Sequence, residues 1–391
     1  MYHHLIKTTL VVAMAVAMAG CGTKAIKPTE RKPAKLLNIQ SPVTVLTQVS
    51  SIRLDQGKST LKRSRAKARD VIDLQVAPTA NGVIAASRGG LVSAFVNGAT
   101  VWQLNVDDAI TSAVGMDTTG SLAVVGTRSG KIVAIDAKTG TERWSVNLPS
   151  SSLAPALVTA QVVIVSTNSG TTYGLSSATG ETVWQYNAQS PSTSVRGMAK
   201  PLQLDAQTAI LGGSDGRIHA LDIHTGEPLW TRRIGLAKGV GEIDKLRDVD
   251  GTPVFIGNHL YAASYSGQLT GFDMATGRLM FASELSSTDR LAILANAIIG
   301  SSTDGEVVAF DRFTGDKLWE NDELKYRSLT NPVAIGQNIA VGDKSGVIHV
   351  LNSQGKIISR VSTKGELTSL QVVNNRLYTQ SANGVVSVWQ F

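Results

Sequence analysis

One fifteen-residue phrase recurs along this chain, and a chain so built has to fold as an array of like units. Its clearest form is GRIHALDIHTGEPLW at 216–230, with near copies at 130–144 (GKIVAIDAKTGTERW), 170–184 (GTTYGLSSATGETVW) and 305–319 (GEVVAFDRFTGDKLW). The copy at 267–281 (GQLTGFDMATGRLMF) keeps the frame but ends in Phe281. Three degenerate copies complete the series: 90–102 is shortened in its turn, 346–359 lacks the final aromatic, and the last starts at Gly384 and ends with the chain at Phe391. Five close copies in register exclude chance resemblance among unrelated hairpins.

Each phrase reads as a β-hairpin. An alternating strand runs into D-x-x-T-G, where Asp accepts backbone N–H bonds and Gly supplies a positive φ. A second strand then leads to Trp, whose flat face suits packing between neighbouring sheets. Two further strand-like runs precede the hairpins, as at 154–158 and 162–166, or 331–335 and 338–341. The unit is therefore a four-stranded meander, and the leading glycines are spaced about 38 to 51 residues apart. Eight such units predict an all-β fold, an eight-bladed β-propeller of four-stranded antiparallel blades. A β-solenoid is the alternative, disfavoured because its repeats are shorter.

The eighth copy stops after one strand of its hairpin. A wheel left open there would present a bare sheet edge. Residues 43–54 (VTVLTQVSSIRL) are β-branched and partly alternating, so the N-terminal strand is expected to complete the last blade and close the ring.

Ahead of that strand lie two segments of another kind. Residues 1–20 carry Lys7, an apolar run over 10–18 too short to remain in a bilayer, and small residues before Cys21, the pattern of a secretory leader. Cys21 is the expected lipid-attachment site of a bacterial lipoprotein, an ordinary leader followed by a chance cysteine being the alternative; by resemblance to Gram-negative lipoproteins, Gly22 after it implies sorting to the outer membrane. Residues 21–42, polar, basic and proline-bearing, are expected to tether the lipid to a body spanning 43–391. Cys21 is the single cysteine, so the body has no disulfide and no thiol nucleophile. The net charge of +7 is concentrated in the tether and in 58–69 (KSTLKRSRAKAR). With no aromatic residues interleaved, that run reads as a solvated loop, contact with anionic headgroups being the alternative. Nucleic acid is not a partner expected of an exported chain.

Chemistry is sparse. His3 and His4 belong to the leader, His219 and His349 occupy one repeat position, and His224 and His259 sit at turns. No metal site, no cofactor and no catalytic residue is predicted. The run Asp248-Val249-Asp250-Gly251 keeps only part of a calcium-loop pattern, and the serine-rich stretches lack a histidine partner. Two connections are oversized, 185–201 and 231–253, both following the tryptophan position of a repeat. Equivalent insertions in neighbouring blades should emerge on one rim, and loops carried by a rigid scaffold are where function collects.

The T-G-x-x-x-W phrase resembles the repeat of quinoprotein propellers, but those enzymes are longer and carry calcium and vicinal-cysteine marks that this sequence lacks. With the lipoprotein leader, the eight units, the stretch 239–253 (GVGEIDKLRDVDGTP) and the loop Ser194-Val195-Arg196-Gly197, the chain resembles the BamB family, propeller lipoproteins of the outer-membrane β-barrel assembly (BAM) machinery. The resemblance covers nearly the whole mature chain. It implies a non-catalytic scaffold that binds the POTRA domains of BamA, works beside the other BAM lipoproteins and assists nascent outer-membrane proteins. Carried over by position, the partner-binding residues would be Thr193, Val195, Arg196, Asp248 and Asp250, the alternative for the two aspartates being that they only cap their own loop. The first two stand where the family typically has leucine. A PQQ-dependent enzyme and a periplasmic propeller binding a ligand in its channel are the competing functions.

Overall fold

A computed structural model of the chain describes residues 31–54, 74–188, 199–236 and 246–391. Every regular element among the described residues is a β-strand. The strands form eight four-stranded antiparallel sheets, within one unit that runs from Pro33 to Phe391. In chain order, blade 1 spans residues 77–105, blade 2 115–147, blade 3 157–187, blade 4 202–233, blade 5 254–284, blade 6 292–321 and blade 7 333–362. Blade 8 comprises Leu367–Val373, Arg376–Ser381 and Val385–Gln390, with Thr47–Arg53 as its fourth strand. The N-terminal strand therefore closes the wheel as expected, antiparallel to Val385–Gln390, with Ser51 opposite Ser387 and Ile52 opposite Val386. It starts at Thr47, later than the strand-like run in the sequence.

The core is a ring. Eight apolar clusters are found, one at each junction between successive blades. The sequence alternates along the third strand Arg217–Asp222, and the strand buries Ile218, His219, Ala220 and Leu221 in succession. A blade has neighbours on both faces, so its period of two becomes alternation between two cores. Ile210, Ile218 and Ala220 pack toward blade 5, whereas Ala209, Leu211 and Leu221 pack toward blade 3.

The repeated phrase is the third strand, the turn and the fourth strand of a blade. In blade 4 the Asp222 Oδ1 accepts the N–H groups of His224 (2.8 Å) and Thr225 (2.9 Å), and Gly226 takes φ +73°. These bonds outweigh the small cost of burial and hold the Asp222 carboxyl below its usual range. The tryptophan then locks one blade to the next. Trp102, Trp144, Trp184 and Trp319 each donate from Nε1 to a carbonyl in the following blade's turn (Ala137, Ser177, Ile223 and Ser353), at 2.9–3.0 Å. The same rings lie flat on that turn's glycine: a Cβ at Gly140, Gly180, Gly226 or Gly355 would stand 2.4–2.6 Å from ring carbons. Phe281 plays this part against Gly315. The recurrent T-G thus meets two demands, a left-handed backbone and room for the neighbour's indole.

Residues 33–46 are not free of the body. Ala34 N donates to the Lys325 carbonyl and Val43 N to the Ile358 carbonyl, both at 2.9 Å. Leu36 and Ile39 pack on the junction of blades 6 and 7, and Leu46 lies in that of blades 7 and 8. The tether expected over 21–42 therefore has its last residues laid against the wheel. Amid polar and basic neighbours, Leu36 and Ile39 supply an apolar foothold.

The candidate docking rim and channel mouth

Both oversized connections join a fourth strand to the first strand of the next blade. The first runs from Thr182–Asn187 to Leu202–Gln203, the second from Pro228–Arg233 to Val254–Ile256. Since all first strands run the same way through the wheel, the connections share one face. Their described ends meet there: Lys200 N donates to Thr252 Oγ1 at 3.1 Å. Lys200, Asp250, Gly251 and Thr252 line the mouth of a central cavity of about 730 Å³.

The junction beneath the second connection departs from the common lock. Of the six junctions from blade 1 to blade 7, five stack the aromatic residue on the next turn's glycine. At Gly277 of blade 5, a Cβ would meet only the Arg232 guanidinium, at 3.3 Å. Trp230 is instead half-buried, with the Arg232 guanidinium carbon 5.3 Å from its ring centroid. Ile234 and Val249, from the ends of the connection, fill this junction. Extra chain here replaces a lock that the other five junctions keep, and the signal was the Arg232-Arg233 pair following Trp230.

Of the residues expected to bind a partner, Thr193, Val195 and Arg196 lie outside the described residues, as does Cys21. Asp248 and Asp250 are placed, and deeply. Asp248 is 0% exposed and Asp250 8%. The Asp248 carbonyl accepts from Tyr265 N (2.9 Å), and Val249 N donates to the Gly213 carbonyl (3.1 Å). The backbone of 248–249 is thereby sewn between blades 4 and 5. Gly251 lies against the backbone of Asp289 and Arg290, where a Cβ would come 2.2 Å from the Asp289 carbonyl. The family resemblance makes both aspartates partner contacts, with capping of their own loop as the alternative. The run D-V-D-G gave no sign that Asp248 is buried between blades or that Asp250 and Gly251 line the central cavity.

The two repeat-equivalent histidines are structural in geometry. His219 Nε2 lies 3.2 Å from Asp215 Oδ1, and Nδ1 3.0 Å from the Tyr186 hydroxyl. His349 is bound to Asp343 and Arg360. Among the described residues no group of three His, Cys, Asp or Glu is arranged to hold a metal ion.

Fold and site together define a class: an eight-bladed propeller closed by its N-terminal strand, with two enlarged connections converging at one mouth. The comparisons with known proteins give the family. A family model described as "Outer membrane protein assembly factor BamB" matches residues 88–321 and 303–391. The chain is 36% identical to that assembly factor of Salmonella typhimurium, over 78% of this chain and 81% of the relative. It is 30% identical to that of Xanthomonas campestris, over 98% and 97%. The crystal structure of BamB from Moraxella catarrhalis superposes with a TM-score of 0.83 at 64% identity, covering 89% of this chain and all of that one. A computationally designed protein, Ika8, shares the fold alone, at TM-score 0.63 and 19% identity. The chain belongs to the BamB family of outer-membrane protein assembly factors.

Proposed function

We propose that this chain is a non-catalytic scaffold of outer-membrane protein assembly, docking the POTRA domains of BamA at the rim formed by the two enlarged connections. The observation that carries the reading is their convergence, fixed by the hydrogen bond from Lys200 N to Thr252 Oγ1. The described ends of the two connections are held side by side on a rigid wheel, and a surface carried by a rigid scaffold binds at a lower ordering cost. In this reading Thr193, Val195 and Arg196 meet the partner. Arg196 is the anchor, its planar fork being suited to bidentate bonds. Asp248 and Asp250, buried within the second connection, hold its end in place for the partner.

Acyl groups on Cys21 would keep the wheel at the periplasmic face of the outer membrane, where BamA and the other BAM lipoproteins work. The outer strands suit a second part of the role. Each pairs on one side only, and Val101, Val183, Leu229 and Leu318, each just before the repeat's tryptophan, are half exposed or more. An open edge flanked by apolar side chains is a template for adding an extended strand of a nascent outer-membrane protein.

The test is co-purification from membranes. Arg196→Ala is expected to abolish recovery of BamA while leaving the melting temperature unchanged. Undiminished recovery from Arg196→Ala and from Thr193→Asp would remove the rim from the account.

A further inference from the structure

The channel mouth holds two cations that the docking reading does not use. Lys200 enters just before the first strand of blade 4, and Arg290 just before that of blade 6. Between them stand Gly251 and Thr252 of the blade 5 approach. Lys200 is joined to Thr252 through its backbone N–H, and Gly251 abuts Asp289 and Arg290. Three neighbouring blades thus bring an ammonium, a hydroxyl and a guanidinium to one patch of the lumen wall.

Among the described residues, neither the Lys200 ammonium nor the Arg290 guanidinium has a hydrogen-bond or ion-pair partner. Three carboxylates line the lumen, Asp117, Asp250 and Asp289; Asp250 is itself buried, and the other two are bonded elsewhere. Asp117 accepts from Ser121 N (2.7 Å), Leu122 N (2.8 Å) and Ser121 Oγ (2.8 Å), and Asp289 accepts from Ser301 Oγ (2.7 Å). Burial, and then the Arg290 charge, push the Lys200 ammonium below its ordinary range, and burial does the same to Arg290. Arg290 is nonetheless open to solvent along the lumen, so a solute can reach it. Two like charges on one stretch of lumen wall repel, and an anion between them would relieve the repulsion and give the buried Lys200 ammonium a partner.

We propose that this mouth is a binding site for a small oxyanion, held between Lys200 Nζ and the Arg290 guanidinium, with the Thr252 hydroxyl as a further donor. Guanidinium takes two oxygens of a phosphate or carboxylate in one plane, and the ammonium supplies a point charge. A cavity of about 730 Å³ falls in the range of small-molecule sites, so the oxyanion can be carried on an organic body. The ligand class is a phosphate monoester or a small dicarboxylate. A bound anion would touch Thr252, near the end of the second enlarged connection.

The experiment uses the full mature protein and two probes, inorganic phosphate and succinate, each titrated calorimetrically against chloride at constant ionic strength. One saturable site is expected for at least one probe, with affinity in the millimolar range or tighter and weakened about tenfold or more in Lys200→Gln and in Arg290→Gln. Phosphate alone binding assigns a phosphate ester, succinate alone a dicarboxylate, and both a general oxyanion site. Without ligand, each variant should melt at or above the temperature of the unmodified protein, because one of two mutually repelling charges has been removed. Lys200→Arg, which keeps the charge, should still bind. No saturable heat with either probe, or undiminished binding in both glutamine variants, would overturn the proposal. So would a drop in ligand-free melting temperature in both, since that would make the cations structural.

Discussion

Arg360 donates from Nε to Nδ1 of His349 at 3.2 Å. An arginine N–H can only donate, so Nδ1 is an acceptor and the proton of the neutral ring sits on Nε2, aimed at Asp343 Oδ2 3.1 Å away. Protonating Nδ1 would set two N–H groups against each other inside the wheel, where His349 is 0% exposed. Burial, chiefly, holds the His349 pKa below its ordinary value of 6.5, the Asp343 carboxylate pulling the other way.

A pH dependence follows. A histidine whose pKa is lower folded than unfolded contributes stability that is complete above about pH 6.5 and is lost as the pH falls toward the folded value. Asp343 is held below 3.8, since bonds from His349, Val347 and Arg327 outweigh its burial; its contribution is therefore intact until the pH falls below that range. Denaturant unfolding should show stability falling as the pH drops below about 6.5, by at most ~1.4 kcal/mol per pH unit from this residue. His349→Gln should flatten that slope, and an unchanged slope would show that the ring is not the group responsible.

The same network holds the N-terminal segment. Arg327 donates to Asp343 Oδ2 (2.6 Å) from Nε and to the Ala34 carbonyl (2.9 Å) from Nη1, while Arg360 Nη1 bonds the Leu37 carbonyl. Asp343→Ala leaves the buried Arg327 charge without its carboxylate, and a cost of about 3–5 kcal/mol is expected. Arg360→Ala should act locally instead: limited proteolysis near residues 34–38 should quicken with little change in global unfolding. Equal protease resistance would show that Leu36 and Ile39 alone hold the segment.

How much of this was legible beforehand depends on whether a feature repeats. The wheel, its blade number and its closure were readable because Gly216, Asp222, Gly226 and Trp184 each recur in register, and because Gly384 begins a hairpin that the chain cannot finish. The lock itself was half legible: Trp as an inter-sheet residue was, but not its seat on the next blade's glycine. Burial of Asp248 and Asp250 was not, because a loop sequence carries no sign of the blade it passes behind. Nor was the pairing of Lys200 with Arg290. Ninety residues separate them in the chain, and only the ring brings blades 4 and 6 to one mouth.

The exceptional junction offers a controlled comparison. Gly226 and Gly277 occupy the same turn position with φ +73° and +68°, but only Gly226 has an indole behind it, 2.5 Å from where an alanine methyl would stand. Gly277→Ala should cost about 1–2 kcal/mol, the left-handed backbone penalty. Gly226→Ala adds overpacking against Trp184, about 1–3 kcal/mol more. Thermal or denaturant unfolding of the two variants measures the difference directly. Equal losses would mean that Trp184 can withdraw at no cost, and that the lock is looser than its geometry.

Closure can be tested by making it covalent. Ser51 and Ser387 face each other across the seam between the N-terminal strand and the last blade, their hydroxyls 3.2 Å apart and 336 positions apart in sequence. Directly opposed residues in antiparallel strands have Cβ atoms about 4.5–5.5 Å apart, slightly beyond the usual disulfide span of about 3.5–4.5 Å, so a small approach of the strands is needed. Cys21 is the only native cysteine, and replacing it with serine in a leaderless form leaves the engineered pair alone. Ser51→Cys with Ser387→Cys, oxidised, closes nearly the entire body into a loop and should raise stability by up to about 5 kcal/mol over the reduced form. The gain should disappear on reduction. If the oxidised and reduced forms unfold together, opening of this seam is not an early step in losing the wheel, and the N-terminal strand is a passenger on blade 8 rather than its fastening.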